Sequence, residues 1–170
     1  DLTSAGANRI FSRDFNHFSP LRPVYANAEI DTRHSCVPID WYHKPHSFTD
    51  RNQLYIENAV ELLAAAARQA LAEGGLTFDD IDGLVVASSS GIATPSLDAL
   101  LMERLRLRRD MQRLPIFGLG CAGGVIGLSR TAQRARRAPD KRYLFLVLQV
   151  CGLNFPFRDR SKSKVIATEL

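Results

Sequence analysis

Little in this sequence could crosslink, hold a metal or cross a membrane. Its three cysteines, Cys36, Cys121 and Cys151, include no CxxC pair. An odd, scattered set excludes a closed disulfide framework and a zinc-type ligand cluster, so free thiols and no metal site are expected. The longest apolar run, YLFLVLQV at 143 to 150, falls far short of the roughly 20 residues that a bilayer-spanning helix needs. The opening DLTSAGANRIF lacks a signal peptide's apolar centre, and a cytoplasmic protein is therefore expected. Internal repeats and low-complexity segments are absent. A large charge imbalance is missing too, since 22 Lys and Arg face 18 Asp and Glu for a net charge of +4. The basic residues fall in short groups at 104 to 113 and 130 to 142, where they complement helix ends rather than form one tract. With no aromatic-plus-basic module beside them, nucleic-acid binding is not expected, while attraction of an anionic small molecule such as a nucleotide thioester stays open.

What is present is an ordinary folded composition, 45% hydrophobic and 24% charged over 170 residues, enough for one domain with a sizeable core. Residues 1 to 48 are broken by Pro20, Pro23, Pro38 and Pro45 and read as an irregular arm that wraps a surface. From Asp50 the pattern changes. Leu54, Ile56, Ala59, Val60, Leu62, Leu63, Ala66, Ala67, Ala70 and Leu71 form a helical stripe, opened by an Asp50 and Gln53 capping pair and closed by Gly74 and Gly75. TFDDIDGLVVASSSG then predicts a turn feeding a buried strand at 84 to 88. A loop with Gly91 follows, and Pro95 sits in the first turn of a helix reaching about Leu105. LPIFGLG reads as a second strand, AGGVIGLSRTAQRARR as a further helix and YLFLVLQV as a third strand. Residues 49 to 170 thus form a helix plus a β-α-β-α-β core. The fold class is α/β, with a mostly parallel sheet and helices on its faces.

One segment carries a chemical suggestion. GLGCAGG at 118 to 124 places Cys121 between the second strand and the helix after it, at the carboxyl edge of the sheet where ligands collect. Unpaired N–H groups and the dipole at a helix N-terminus favour the thiolate, the nucleophilic form of cysteine. Gly118 and Gly120 permit a sharp approach, and Gly123 and Gly124 leave room for a thioester beside the sulfur. That combination suits covalent catalysis with an acyl group carried on sulfur. A small buried residue in a packing turn fits the same spacing. The histidines His17, His34, His43 and His46 all lie in the arm, and none has an evident route to Cys121 as a base.

Five segments carry a family resemblance: IDTRH at 30 to 34, SFTDRN at 47 to 52, SSSGIATPSLDALLMERL at 88 to 105, RLPIFGLGCAGGVIGLSR at 113 to 130 and DRSKSKVIAT at 159 to 168. The chain resembles the bacterial type III polyketide synthases, relatives of chalcone synthase in the thiolase superfamily. The resemblance implies the N-terminal half of a thiolase-like layered fold, which alone would leave a large apolar face exposed. It makes Cys121 the nucleophile that takes a starter acyl group from its coenzyme A thioester. Malonyl-CoA then extends the chain by decarboxylative Claisen condensation, and cyclisation gives a pyrone, resorcinol or related product. No metal or redox cofactor is implied, and the assembly is a homodimer. Ser89 and Ser90 match small hydroxyl residues near the cavity, and Thr94 the position that reaches toward the partner's cavity. Cys151 and Asn154 match cavity-lining positions, although from the residues alone a buried small residue and a strand-ending turn former fit equally. Gln149 stands where glutamate is usual. The family's oxyanion-stabilising histidine and asparagine belong to the second half of the fold, beyond this sequence. A ketoacyl synthase III type enzyme and a non-catalytic subunit acting through an exposed interface are the alternatives.

Overall fold

The computed structural model describes residues 34 to 154, so IDTRH up to residue 33, DRSKSKVIAT and His17 lie outside the described residues. The chain divides into two compact units, Asp1–Arg51 with Val150–Leu170, and Asn52–Gln149.

In the first unit the proline-punctuated segment is ordered around aromatic rings. A 3-10 turn at Ile39–His43 presents Trp41, whose ring stacks on the His46 imidazole with centroids 3.9 Å apart. The ring also meets Tyr42 edge-on. The His46 imidazole donates from Nε2 to the Trp41 carbonyl at 2.9 Å. The Tyr42 hydroxyl bonds Ser35 Oγ at 2.9 Å, and burial pushes its pKa above the usual phenol value. Helix α1, Phe48–Glu73, starts earlier than the Asp50 and Gln53 pair predicts. The capping box is made by Ser47 and Asp50: Asp50 N–H donates to Ser47 Oγ at 3.1 Å and Ser47 N–H to Asp50 Oδ2 at 3.2 Å. Gln53 instead bonds Glu57 one turn on, at 2.8 Å.

In the second unit α1 buries a narrower stripe than expected, formed by Tyr55, Ala59, Leu63, Ala64, Ala67 and Leu71. Leu62, Ala66 and Ala70 are exposed. The helix ends in a Schellman motif, with Leu76 N–H donating to Leu71 O at 2.9 Å and Gly75 N–H to Ala72 O at 3.2 Å. Gly75 has φ +64°, a left-handed conformation that glycine adopts without a Cβ penalty.

Strands β1 (Gly83–Ser88), β2 (Gln112–Phe117) and β3 (Tyr143–Val147) form a three-stranded sheet in the order β2-β1-β3. Both pairings are parallel, Gly83 aligning with Gln112 on one side and Tyr143 on the other. Every residue of the central strand is buried, as a continuous apolar run between two neighbours predicts. Helix α2, Leu97–Arg104, connects β1 to β2, and α3, Gly123–Arg137, connects β2 to β3. Pro95 is not in the first turn of α2. It follows a cis peptide bond to Thr94 in the preceding loop, and Ser96 occupies the N-cap with extended backbone.

Helices cover both faces of the sheet, because alternate strand residues point opposite ways. On one face Tyr55 of α1 bonds Ser88. On the other, Gly127 of α3 lies so close to Phe145 and Ile116 that a Cβ there would come within 2.5 Å of the Phe145 ring. Both outer strands are shorter than predicted. β2 stops at Phe117 because Gly118, at φ +80°, turns the backbone out of extension. β3 stops at Val147: Leu148 N–H still reaches Ala87 O at 3.0 Å, but the next β1 donor, Ser89 N–H, goes to the Gln149 side chain at 3.4 Å.

Asp82 ties the sheet's amino edge together, accepting from Arg142 N–H at 3.0 Å, Lys141 Nζ at 3.1 Å and Arg108 Nη2 at 3.3 Å. The Arg142 N–H first, then Lys141, hold its pKa below the usual carboxylate value. A carboxyl lowered on folding stabilises the fold above its unfolded pKa, and that contribution is lost as pH falls through the folded one. Asp82→Asn is therefore expected to lower the melting temperature at neutral pH, with the difference from wild type shrinking in strong acid. A difference that stays constant across thermal scans from neutral to acid pH would contradict this assignment.

Candidate active site

Cys121 lies in a 3-10 turn, Gly120–Ala122, that leads directly into α3. The path is set by two glycines. Gly118 and Gly120 have φ of +80° and +52°, Leu119 between them has φ −92°, and Ala122 N–H closes the turn on Leu119 O at 3.1 Å. Alternation of left- and right-handed residues folds the end of β2 sharply onto the helix start. Gly123 is buried, with Ala87 Cβ at 3.8 Å and Leu119 Cβ at 3.9 Å from where a side chain would begin. Cys121 itself is exposed. It is a thiol displayed where the 3-10 turn runs into α3, with the Ala122 and Gly123 N–H groups closing back on Leu119 O and Gly120 O. The buried packing residue that the spacing also allowed is not what the fold contains.

The three serines after β1 have different surroundings. Ser88 is 6% exposed, and its Oγ lies 2.7 Å from the Tyr55 hydroxyl. Burial raises the Tyr55 pKa. Ser89 is the one placed on the cysteine turn: its Oγ accepts Gly118 N–H at 3.1 Å and Gly120 N–H at 3.0 Å. Ser90 is buried, at 6% exposure. Gln149 receives Ser89 N–H through its amide oxygen at 3.4 Å.

Thr94 is exposed, on a loop anchored from α1. Asn52 clamps that loop with two bonds of 2.8 Å, donating to Ile92 O and accepting Ile92 N–H. Gly91 packs flat on the Tyr55 ring. Sequence reading passed over Asn52, Tyr55 and Asp98. Asp98 is 1% exposed and pairs with Arg113 at 3.4 Å, joining α2 to β2. Its Oδ1 has no hydrogen-bond partner among the described residues. The available signal was the occurrence of Asn52 inside SFTDRN and of Asp98 inside GIATPSLD, but neither segment announces its partner, and Tyr55 lies outside both.

Cys151 and Asn154 belong to the first unit, at the two ends of a 3-10 turn, Cys151–Asn154. Both are exposed, whereas Leu153 between them is buried. The second unit contains no histidine, and in the first His46 is stacked on Trp41. Among the described residues no cluster of His, Cys, Asp or Glu is arranged to hold a metal ion, and no helix is long and apolar enough to cross a membrane.

Cys121 lines neither of two concavities in the second unit. A groove of about 900 Å³ runs between β2 and α3, past Leu114, Ile116, Phe117, Ile126 and Arg130. A cavity of about 160 Å³ lies by Tyr55, Ser88, Ile92 and Asp98. Large apolar side chains face outward near the cysteine turn: Val125 is 74% exposed, Phe117 63% and Leu128 61%. This is the kind of uncovered apolar surface expected of a half-fold.

Residues 28 to 168 match the N-terminal domain of chalcone and stilbene synthases. The chain is 38% identical over 150 residues to 1,3,6,8-tetrahydroxynaphthalene synthase from Streptomyces peucetius subsp. caesius, covering 88% of this chain and 40% of that protein. It is 34% identical over 157 residues to phloroglucinol synthase from Pseudomonas fluorescens, covering 92% of this chain and 45% of that one. The fold superposes on the crystal structure of the tetrahydroxynaphthalene synthase from Streptomyces coelicolor A3(2), a bacterial type III polyketide synthase. That match has a TM-score of 0.90 at 26% identity and covers 98% of this chain and 49% of that one. The chain spans less than half the length of these curated relatives. The α/β arrangement and the parallel sheet are thus those of a thiolase-like fold. The chain belongs to the chalcone and stilbene synthase family of type III polyketide synthases and corresponds to its N-terminal domain.

Proposed function

We propose that this chain is the acyl-accepting half of a type III polyketide synthase, with Cys121 as its nucleophile. The observation that carries the reading is the exposed Cys121 thiol in the turn that opens α3. In the proposed cycle the Cys121 thiolate attacks the carbonyl carbon of a starter acyl-CoA. The carbon–sulfur bond to coenzyme A breaks, and coenzyme A leaves as its thiolate. Loss of carbon dioxide from malonyl-CoA leaves an enolate, whose carbon attacks the Cys121 thioester. A carbon–carbon bond forms and the cysteine sulfur is released. Return of the extended chain to sulfur permits another round, and cyclisation yields a pyrone, resorcinol or related product.

Decarboxylation supplies the electron pair for bond formation, so the chemistry needs neither a metal nor a redox cofactor. Oxyanions arise in both the decarboxylation and the condensation, and fixed hydrogen-bond donors lower the barrier to each. The histidine and asparagine for that task are proposed to lie outside these 170 residues. Ser89, Ser90, Cys151 and Asn154 are proposed neighbours of the acyl cavity, and Thr94 reaches toward the other subunit of a homodimer. The enzyme is proposed to be cytoplasmic.

The test is intact-protein mass spectrometry after incubation with acyl-CoA starters of increasing length. The expected result is a mass increase equal to one acyl group, mapped by peptide digestion to Cys121. An adduct absent from Cys121 for every starter would overturn the proposal.

A further inference from the structure

We propose that Ser89 is a positioning residue for Cys121, its hydroxyl oxygen acting as the post on which the nucleophile's turn is hung. This inference rests on the acyl-accepting reading of Cys121 given above. Ser89 is the first residue beyond β1, and the turn it holds lies 29 and 31 residues further along the chain. Gly118 and Gly120 both donate their N–H groups to the one oxygen. The alternating backbone of Gly118, Leu119 and Gly120 directs alternate N–H groups to the same side, making a concave pair of donors. A hydroxyl oxygen can accept two hydrogen bonds and a backbone N–H can only donate, so the direction of both bonds is settled.

The consequence falls on Cys121 because Gly120 is its immediate neighbour in the chain. Glycine has little intrinsic preference for this conformation over others. A turn with glycine on both sides of Leu119 therefore needs an outside acceptor to stay in one geometry. Reaction of a thiolate with a thioester carbonyl depends on approach within a narrow range of distance and angle, and an error near 1 Å costs on the order of a hundredfold in rate. Ser88, one residue earlier, supplies a contrast. Its hydroxyl bonds Tyr55 in a buried site, whereas both turn amides go to Ser89.

The experiment compares Ser89→Ala, Ser89→Thr and Ser88→Ala in the intact protein. Its readouts are hydrogen exchange at the Gly118 and Gly120 amides, the rate of acyl transfer to Cys121 over a range of acyl-CoA concentrations, and alkylation of Cys121 by iodoacetamide. Ser89→Ala is expected to speed exchange at both amides roughly tenfold. It is also expected to slow saturated acyl transfer about tenfold, with the half-saturating concentration changed less than about threefold. Ser89→Thr, which keeps the oxygen, restores both. Ser88→Ala lowers the melting temperature but leaves the acyl-transfer rate and both amides as in wild type. Should Ser89→Ala fail to fold, the same comparison is made between Ser89→Thr and Ser89→Val, which differ chiefly in the hydroxyl.

Wild-type acyl transfer in Ser89→Ala, or slowed transfer with both amides as protected as before, would overturn the proposal. If the wild-type protein takes no acyl group on Cys121 at all, the polyketide reading fails separately. Exchange and iodoacetamide alkylation then still decide Ser89: faster exchange with a changed alkylation rate upholds its hold on the turn, and no change in either refutes it.

Discussion

Cys121→Ala should leave the intact protein folded and without product, turnover from acyl-CoA and malonyl-CoA falling by roughly a thousandfold or more. The proposed cycle passes through a covalent acyl enzyme in every round, and alanine has no atom on which to hold the chain. Within the second unit, Asn52–Gln149, Cys121 is the one cysteine in the sequence. The structural cost is small. Among the described residues Cys121 is exposed, so losing its sulfur opens no cavity among them, and exposed substitutions of this sort change stability by no more than about 0.5 kcal/mol. The turn keeps its closing Ala122 N–H bond and both bonds to Ser89, all of which involve atoms other than the Cys121 side chain. Product formation by chromatography and mass spectrometry, alongside thermal unfolding, separates the two effects. Retention of a tenth of wild-type turnover would exclude Cys121 as the acyl carrier.

Gly91→Ala should destabilise the protein by about 3 kcal/mol, an effect at the upper end of those seen for overpacking. A Cβ at residue 91 would fall well inside van der Waals contact of Tyr55 Cδ1 and Cγ. Neither partner can easily yield. Tyr55 is 2% exposed, and its hydroxyl is held by Ser88 at 2.7 Å. The next residue in the loop, Ile92, is clamped by Asn52 through both its N–H and its carbonyl. Relief therefore requires either breaking the buried Tyr55 contact or lifting the loop that carries Thr94. A double-mutant cycle distinguishes this clash from a loss of glycine flexibility. Tyr55→Ala should cost at least about 1 kcal/mol less in the Gly91→Ala background than in wild type, because it removes the obstructing ring. Urea unfolding gives the four stabilities. A Gly91→Ala protein within about 0.5 kcal/mol of wild type would show that the loop has room to move.

The features legible beforehand are those decided by near neighbours. The end of α1 could be read from Gly74 and Gly75 because a left-handed residue after a helix is a local demand that glycine meets. The start of α1 lies one turn before the Asp50 and Gln53 pair, since Ser47 with Asp50 and Asp50 with Gln53 offer polar pairs at the same three-residue spacing. The reciprocal bonds of Ser47 and Asp50 distinguish the pair that caps the helix. The two outer strands end earlier than LPIFGLG and YLFLVLQV suggest, because an apolar run does not record where pairing ends. For β2 the end is a backbone reversal at Gly118, and for β3 it is the turn of Gln149 toward Ser89. The aromatic order of Trp41, Tyr42 and His46 was hidden by the prolines around it.

The sequence by itself determined the parallel α/β class, the family and the placement of one cysteine between a strand and a helix, all of which follow from periodicity, glycine spacing and motif content. Only the tertiary structure decided which of three adjacent serines meets the cysteine turn, and that Asn52, 40 residues away, holds the Ile92 loop. The physical reason is range. Helix caps and turns close over three to five residues, whereas the contacts that aim Cys121 cross from one strand end to another, and their partners are chosen by the paths of β1 and β2 through space.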